Sequence, residues 1–289
     1  MAPTRSNQDG QLRTSPEDRV VFSVVLVTYN SADVIRDAIE SVPAPHEVIV
    51  VDNASTDASR EIAAAAGARV LALAENLGFG TACNRGAALA RNDALLFLNP
   101  DARLMPGALD ALAVGMARYP ASAAFNPRVL KSNGQQFYRA RNRLIGNRIR
   151  LDGPPQADTL IPMAVGAALA FRKPVFDALS GFDENIFLYF EDVDLSARTI
   201  LAGHGIHHIH DAVAVHSEGA STPTSPRIID FKAYHFMKAN LYVCRKFGIF
   251  YNRPWHIVSN WGKTIAARLR GDKEAEITAH ARLRALMGR

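Results

Sequence analysis

The chain has 289 residues, 48% hydrophobic and 21% charged, which suits one large or two modest globular domains with a real core. It has only two cysteines, Cys83 and Cys244, so no disulfide framework or cysteine-based zinc site is in view and a reducing compartment is expected. The formal charge of +5 sits in the tail, where residues 245–289 hold ten Lys/Arg against three Asp/Glu; the remainder is slightly acidic, which argues against a nucleic-acid-binding core.

Residues 1–19 are polar, contain Pro3, Gly10 and Pro16, and lack the apolar core of a signal peptide, so they read as a disordered leader. No apolar run approaches the ~18 residues of a membrane-spanning helix. Strands and helices then alternate. Val20–Val27 is an apolar run and Ala32–Ser41 has helical spacing; Glu47–Val51 is a second strand, followed by the alanine-rich helix Ser59–Ala66, which Gly67 stops. Arg69–Leu73 reads as a strand, Thr81–Ala90 as a helix and Ala94–Leu98 as a fourth strand. This alternation predicts an α/β fold of βαβ units with helices on both faces of a parallel sheet. Right-handed crossovers bring the carboxyl ends of its strands to one edge, where ligands of open α/β sheets bind.

Three polar clusters fall at that edge: Thr28-Tyr29-Asn30, the run from Asp52 to Asp57, and Asn99-Pro100-Asp101. Any one of them is ordinary turn chemistry, and Asp57 suits a helix cap; their joint occurrence points to a site. Asn76, Gly78 and Gly80 precede the third helix, and the glycines would let a nucleotide approach the backbone closely. Arg85, on that helix, faces either phosphates or solvent.

After Pro120 the alternation lapses. Residues 126–160 are rich in Arg, Asn, Gly and Pro and read as loops or a flap. Ala164–Phe171 is apolar and reads as a buried strand; Pro174–Leu179 is a short helix ended by Gly181. Glu191 to Ala202 is helical, with Glu191 and Asp192 in the first turn, where the helix dipole favours acids. Val213–Val215 is a short strand delivering His216; His204, His207, His208 and His210 read as surface or strand histidines. In the tail, Phe231, Tyr234, Met237, Leu241 and Cys244 share one helical face. A stretch follows that mixes Phe247, Phe250, Tyr251, Trp255 and Trp261 with Lys and Arg, and a last helix covers about Asp272–Met287. The expected organisation is a leader (1–19), a main domain (20–226) and a basic helical extension (227–289).

The motifs VVLVTYNS, VIVVDNASTD, ENLGFGTACNRGA, FLNPDARL and FLYFEDVDLSAR with VHSEG, in this order, resemble a family 2 inverting glycosyltransferase of GT-A fold. The resemblance spans about residues 20–220, and the branch it most resembles is the rhamnosyltransferase-like one. It implies a Rossmann-like, mostly parallel sheet flanked by helices, with the C-terminal helical extension appended.

The resemblance also implies roles. Asp52 would accept the imide N–H of uracil or thymine, with Thr28 and Asn30 bordering the base; Asn76, Gly78 and Arg85 would face the donor. Asp101 would hold a divalent cation, Mn²⁺ or Mg²⁺, that bridges the diphosphate, with His216 as a second ligand. Where relatives carry an Asp-x-Asp-type motif, this chain has Asn99 first, able to hydrogen-bond ribose or sugar but carrying no charge. Asp192 would be the general base, with Glu191 and Asp194 contacting acceptor or serving structure. Phe190 stands where many relatives place tryptophan, and residues 164–171 match a segment that lines the donor sugar.

The implied reaction moves a sugar, rhamnose favoured, from a dTDP- or UDP-sugar to a saccharide or polyprenyl-linked acceptor at the cytoplasmic face of a membrane. Aromatics interleaved with basic residues fit a tail that touches anionic lipid; the alternative for the tail is helical packing or homo-oligomerisation. Two other functions are weighed against transfer: a nucleotidyltransferase making nucleotide sugars, for which no Gly-rich basic signature follows the first strand, and a non-catalytic sugar-binding scaffold, which Asn99 alone favours.

Overall fold

The computed structural model describes residues 20–146, 148–217 and 225–288; the expected leader lies outside them, as do Glu218 and Gly219 of VHSEG. In chain order the first half holds β1 (Phe22–Thr28), α1 (Ile35–Glu40), β2 (Glu47–Asp52), α2 (Ser59–Ala65), β3 (Arg69–Ala72), α3 (Phe79–Leu89), β4 (Ala94–Leu98), β5 (Ala102–Leu104) and α4 (Ala108–Arg118). The second half holds β6 (Ser122–Lys131), a 3-10 turn at Arg143–Ile145, β7 (Thr159–Leu160), β8 (Ala168–Arg172), α5 (Lys173–Ala178), α6 (Glu191–Leu201) and β9 (Gly205–His216). Three helices follow: α7 (Pro226–Lys246), α8 (Arg253–Arg270) and α9 (Lys273–Met287).

One sheet organises the molecule, in the order β3-β2-β1-β4-β8-β6-β9-β5, with β7 also paired to β9. The four strands expected from the βαβ pattern, β3-β2-β1-β4, are parallel. Beyond β4 the sense alternates: β8 is antiparallel to both β4 and β6, β9 runs parallel to β6, and β5 is antiparallel to β9.

Period-2 alternation decides what each face covers. Phe22, Val24 and Leu26 of β1, with Leu96 and Leu98 of β4, pack against α1, α2 and α4 through Ile35, Ala63 and Leu112. Val25, Val27, Leu95 and Phe97 point the other way, onto Ala82 and Cys83 of α3, Phe176 of α5 and Leu195 of α6. Both faces are buried, so the central strands are apolar throughout.

The stretch expected as loops from 126 begins instead as the second half of β6, which runs to Lys131 because Phe125 and Val129 enter the core. Likewise β9 is far longer than Val213–Val215: its histidines alternate with buried Ile206, Ile209, Ala212 and Ala214. The aromatic-basic stretch after Lys246 forms α8, capped by the Asn252 side chain accepting the Trp255 N–H.

Candidate active site

The carboxyl edge of the parallel strands gathers the polar clusters. β4 ends at Leu98, and the Asn99 N–H donates to the Ala167 carbonyl (2.9 Å), fixing where the turn begins. Asp101 then precedes β5, whose Ala102 sits in register with His216 of β9. That pairing brings the His216 Nε2 to 3.1 Å from the Asp101 Oδ1, and the Ser217 N–H donates to the Asp101 carbonyl (2.9 Å). The Asn99 Nδ2 lies 3.4 Å from the same imidazole nitrogen; the orientation of such an amide is an assignment that a bound ion could reverse.

The pair fits a hard divalent cation. Two cis ligands of an octahedral ion with bonds of about 2.1 Å stand about 3 Å apart, the separation of this oxygen and nitrogen. Among the described residues no cluster of three His, Cys, Asp or Glu exists, so the remaining positions would fall to water and donor oxygens. A cavity of about 340 Å³ opens on the other flank of Asp101, bordered by Asp37 of α1, Arg103, Ser132 and Ser217; Asp192 is not among its walls.

On β1, the parallel neighbour of β4, and on β2 beside it, Thr28 and Asp52 are register partners. Both are closed off, at 0% and 2% exposure, and Asp52 Oδ1 accepts the Ser55 N–H (3.3 Å). Asn30 adopts a left-handed conformation (φ 54°) and its side-chain oxygen accepts the Thr56 N–H (2.8 Å). Asp57 accepts N–H bonds from Ser59, at the start of α2, and from Ala32. It closes a turn ahead of α2 rather than capping the helix, whose N-cap is Ala58, and these bonds, together with that of the Ser59 hydroxyl, outweigh burial to hold its carboxyl below the usual range.

Asp192 is tied to the Asn99 edge by one short run of backbone. Its Oδ2 accepts the Gly166 N–H (3.2 Å), and the next residue, Ala167, receives the Asn99 N–H. A Cβ on Gly166 would stand 3.3 Å from the Asp192 carboxylate. The 164–168 turn is pinned in turn by Asn126 of β6, whose amide bonds Val165 in both directions and donates to the Ala168 carbonyl, and by the Ser196 hydroxyl of α6.

Burial pushes the Asp192 carboxyl up, against the N–H bonds from Val193 and Gly166 and the nearby positive charge of Arg139. Glu191 is buried at 9% exposure, with its Oε2 lacking a hydrogen-bond partner; burial and the adjacent Asp192 charge push it up to about 8. Glu191 turns inward beneath Asp192 and packs toward Gly80 and Cys83 of α3. That makes Glu191 a core group; of the two expected readings, acceptor contact or structure, its burial supports the second.

The segment before these acids is strained and held from two sides. Tyr189 and Phe190 are consecutive non-glycine residues at φ 66°, each costing on the order of 1–3 kcal/mol. On one side, the Phe79 N–H donates to the Phe187 carbonyl (2.9 Å), and a Cβ on Gly78 (φ 85°) would collide with that carbonyl. Asn84 bonds Phe182 through both its N–H and its carbonyl. On the other side, α7 stacks His235 on Phe187 (centroids 4.5 Å) and sets Phe236 against Phe190 (5.0 Å) and Tyr189 (5.8 Å). Lys246, near the end of α7, donates to Asp183 and to fully buried Asp194, each at 2.6 Å. Asp194 also accepts from Arg198 (2.7 Å).

Several sequence expectations change. Gly78 is a glycine because Phe187 approaches it. Asn76 closes the same turn, its side chain accepting from the Gly78 N–H and from Asn53. Arg85 pairs with Glu184 (3.4 Å), both half-exposed, about 9 Å down the axis from the start of α3. Asp194 is a structural ion-pair partner. Asn126, Gly166 and Arg139 escaped the sequence reading, although an Asn-Pro inside the apolar run of residues 122–130 was the one available signal.

Residues 23–180 match the model for Glycosyl transferase family 2. An N-acetylglucosaminyl-diphospho-decaprenol L-rhamnosyltransferase of Mycobacterium tuberculosis is 28% identical over 242 residues, covering 71% of this chain and 79% of that protein. The rhamnosyltransferase WbbL of Escherichia coli is 35% identical over 60 residues, 21% of this chain and 23% of its own. Among solved structures, a fragment of S. aureus TarS superposes with TM-score 0.56 at 17% identity, covering 93% of this chain and 92% of that one. GalNAc-T7, solved with UDP, GalNAc and Mn²⁺, gives TM-score 0.55 at 14% identity over 78% of this chain and 48% of its own. With more than half of its residues matched to the family model, on a sheet of GT-A type, the chain belongs to glycosyltransferase family 2 and is a glycosyltransferase rather than a nucleotidyltransferase.

Proposed function

We propose that this glycosyltransferase moves a sugar, rhamnose first, from a dTDP- or UDP-sugar to a hydroxyl of a lipid-linked saccharide, with inversion, on the cytoplasmic side of a membrane. The observation that carries the reading is the Asp101–His216 pair, 3.1 Å apart, joined to Asp192 through Asn99, Ala167 and Gly166. Further support comes from the decaprenol-linked acceptor and rhamnosyl group in the name of the mycobacterial relative, and from S. aureus TarS in complex with UDP-GlcNAc.

In this reading Asp192 takes the acceptor proton as that oxygen bonds to the anomeric carbon. The bond from that carbon to the diphosphate breaks on the opposite face, its electron pair leaving with the nucleoside diphosphate. Asp101 and His216 would hold a divalent cation, which supplies charge neutralisation for the departing diphosphate. Burial raises the basicity of Asp192, and the Gly166 N–H orients its carboxylate. Asp52, lined by Thr28 and Asn30, would read the base.

The test is nucleoside diphosphate release with Mn²⁺ across dTDP-rhamnose and common UDP-sugars. Asp192→Asn is expected to lower kcat by ~10²–10⁴-fold with donor binding retained. Asp101→Asn and His216→Ala are expected to raise the Mn²⁺ requirement. Unimpaired turnover by Asp192→Asn would remove Asp192 from the chemistry.

A further inference from the structure

Helix α8 is amphipathic in the inverted sense. Trp255, Val258, Trp261, Ile265 and Leu269 are 45–83% exposed, and Phe250 just before the helix is 87% exposed. Their spacing of three or four residues puts them on one stripe, about 21 Å long by the rise of an α-helix. The side turned to the protein packs Ile257 against the cluster of Met237 and Leu286 and otherwise carries small or polar residues, Asn260 at 3% and Ala267 at 0% exposure among them. A helix whose only partner was the protein body would present its large side chains inward. An exposed stripe of this size, holding both tryptophans of the chain, marks an interaction surface.

The charge says what covers it. The eighteen residues of α8 include Arg253, Lys263, Arg268 and Arg270 and no Asp or Glu. Arg268 is paired with Glu276 of α9; Arg253, Lys263 and Arg270 are exposed. Arg253 donates to the Leu286 carbonyl of α9, while Lys263 and Arg270 flank the stripe on long side chains, and an anionic bilayer offers apolar depth beneath a negative surface within their reach. Tryptophan, apolar in body with one polar N–H, is suited to that boundary. Among the described residues no helix can cross a membrane, so α8 would lie in the plane of the surface.

We propose that the exposed stripe of α8 is a membrane-docking surface selective for anionic lipid. Its purpose rests on the lipid-linked acceptor proposed above; its test does not, because binding is read without turnover. With no other tryptophan in the chain, intrinsic emission reports this stripe directly. Vesicles of equimolar phosphatidylglycerol and phosphatidylcholine are expected to shift the emission to the blue and to co-sediment the full chain, and added salt is expected to weaken both. Pure phosphatidylcholine is expected to do neither.

Lys263→Gln and Arg270→Gln are each expected to lower vesicle partition about fivefold, and Val258→Ser with Leu269→Ser about tenfold or more, at unchanged melting temperature. The proposal is overturned by an unchanged emission with anionic vesicles, or by equal binding to neutral ones. It is equally overturned by a concentration-dependent blue shift without lipid accompanied by dimerisation in sedimentation. Binding without donor turnover would keep this surface and reject the transferase reading; turnover of a soluble acceptor without binding would do the reverse.

Discussion

Glu191 and Asp192 are neighbours in the first turn of α6, and burial pushes both carboxyls up. Burial and the adjacent Asp192 charge lift Glu191 to about 8, so its proton stays on at neutral pH. A carboxyl raised from its ordinary 4.5 gives stability that is complete below that value and is lost as pH climbs through the folded value. Glu191→Gln keeps the shape and removes the titration. Its melting temperature is expected to gain on the parent progressively between about pH 5 and pH 8 and then level off; a constant difference across that range would show that Glu191 is ionised in the fold. Gly166→Ala tests the neighbouring contact, since the added methyl presses on the Asp192 carboxylate at 3.3 Å. A fall of about tenfold or more in kcat is expected, with donor KM little changed; an unaltered kcat would mean that the turn yields at no cost. At this scale the sequence makes legible the placement of residues whose type is tied to one chemistry: Asp101 meets His216, and Asp192 stands in the first turn of α6. It was not legible where a glycine or asparagine acts through a neighbour remote in sequence, as Gly78 does beneath Phe187 and Asn126 does beside Val165.

Among the elements, α7 is the one whose role changed most. Its apolar face was readable from spacing, and Met237 and Cys244 are indeed buried. What spacing could not supply was the target: the strained run at Tyr189 and Phe190, whose left-handed backbone has no sequence signature in non-glycine residues. Phe236 covers both rings. Phe236→Ala is expected to leave donor affinity intact, because the edge proposed to read the base lies on β1 and β2. It should lower kcat by about tenfold through looser placement of the first turn of α6. Equal losses in kcat and donor binding would point to general unfolding instead. The longer extents of β6 and β9 escaped the sequence because Asn126, Pro127 and the histidines of β9 interrupt apolar patterning that tertiary pairing restores. α8 escaped for the opposite reason: its periodicity is regular but faces outward, so a search for buried stripes passes over it.

For the molecule as a whole, the slightly acidic body and the basic tail meet at Lys246. Burial alone would raise the carboxyl of Asp183; bonds from Lys246, Asn185 and Tyr242 overcome this and hold it well below the usual range. The contribution of the Lys246–Asp183 bridge is thus at full strength above the ordinary carboxylate pKa of 3.8 and is lost only as pH falls well beneath it. Lys246→Met removes the cation and strands a wholly buried Asp194 with Arg198 alone. A loss of about 3 kcal/mol in unfolding free energy is expected by denaturant titration at neutral pH, shrinking in strong acid; a loss below about 1 kcal/mol would class the bridge with surface pairs. The alternating strands announced the parallel half of the sheet, because local order and spatial order coincide there. The mixed half stayed hidden because β5, β8 and β9 find partners distant in the chain.

The stretch that matches the family model closes at residue 180, ahead of Glu191, Asp192 and His216 and well ahead of Lys246. A chimaera that transplants only the recognisable stretch into a homologue would inherit the edge proposed for the donor together with foreign counterparts of Asp192, His216 and Lys246. Recombination within this family should therefore respect a junction beyond α7. Swaps made at the apparent family boundary would exchange half a catalyst.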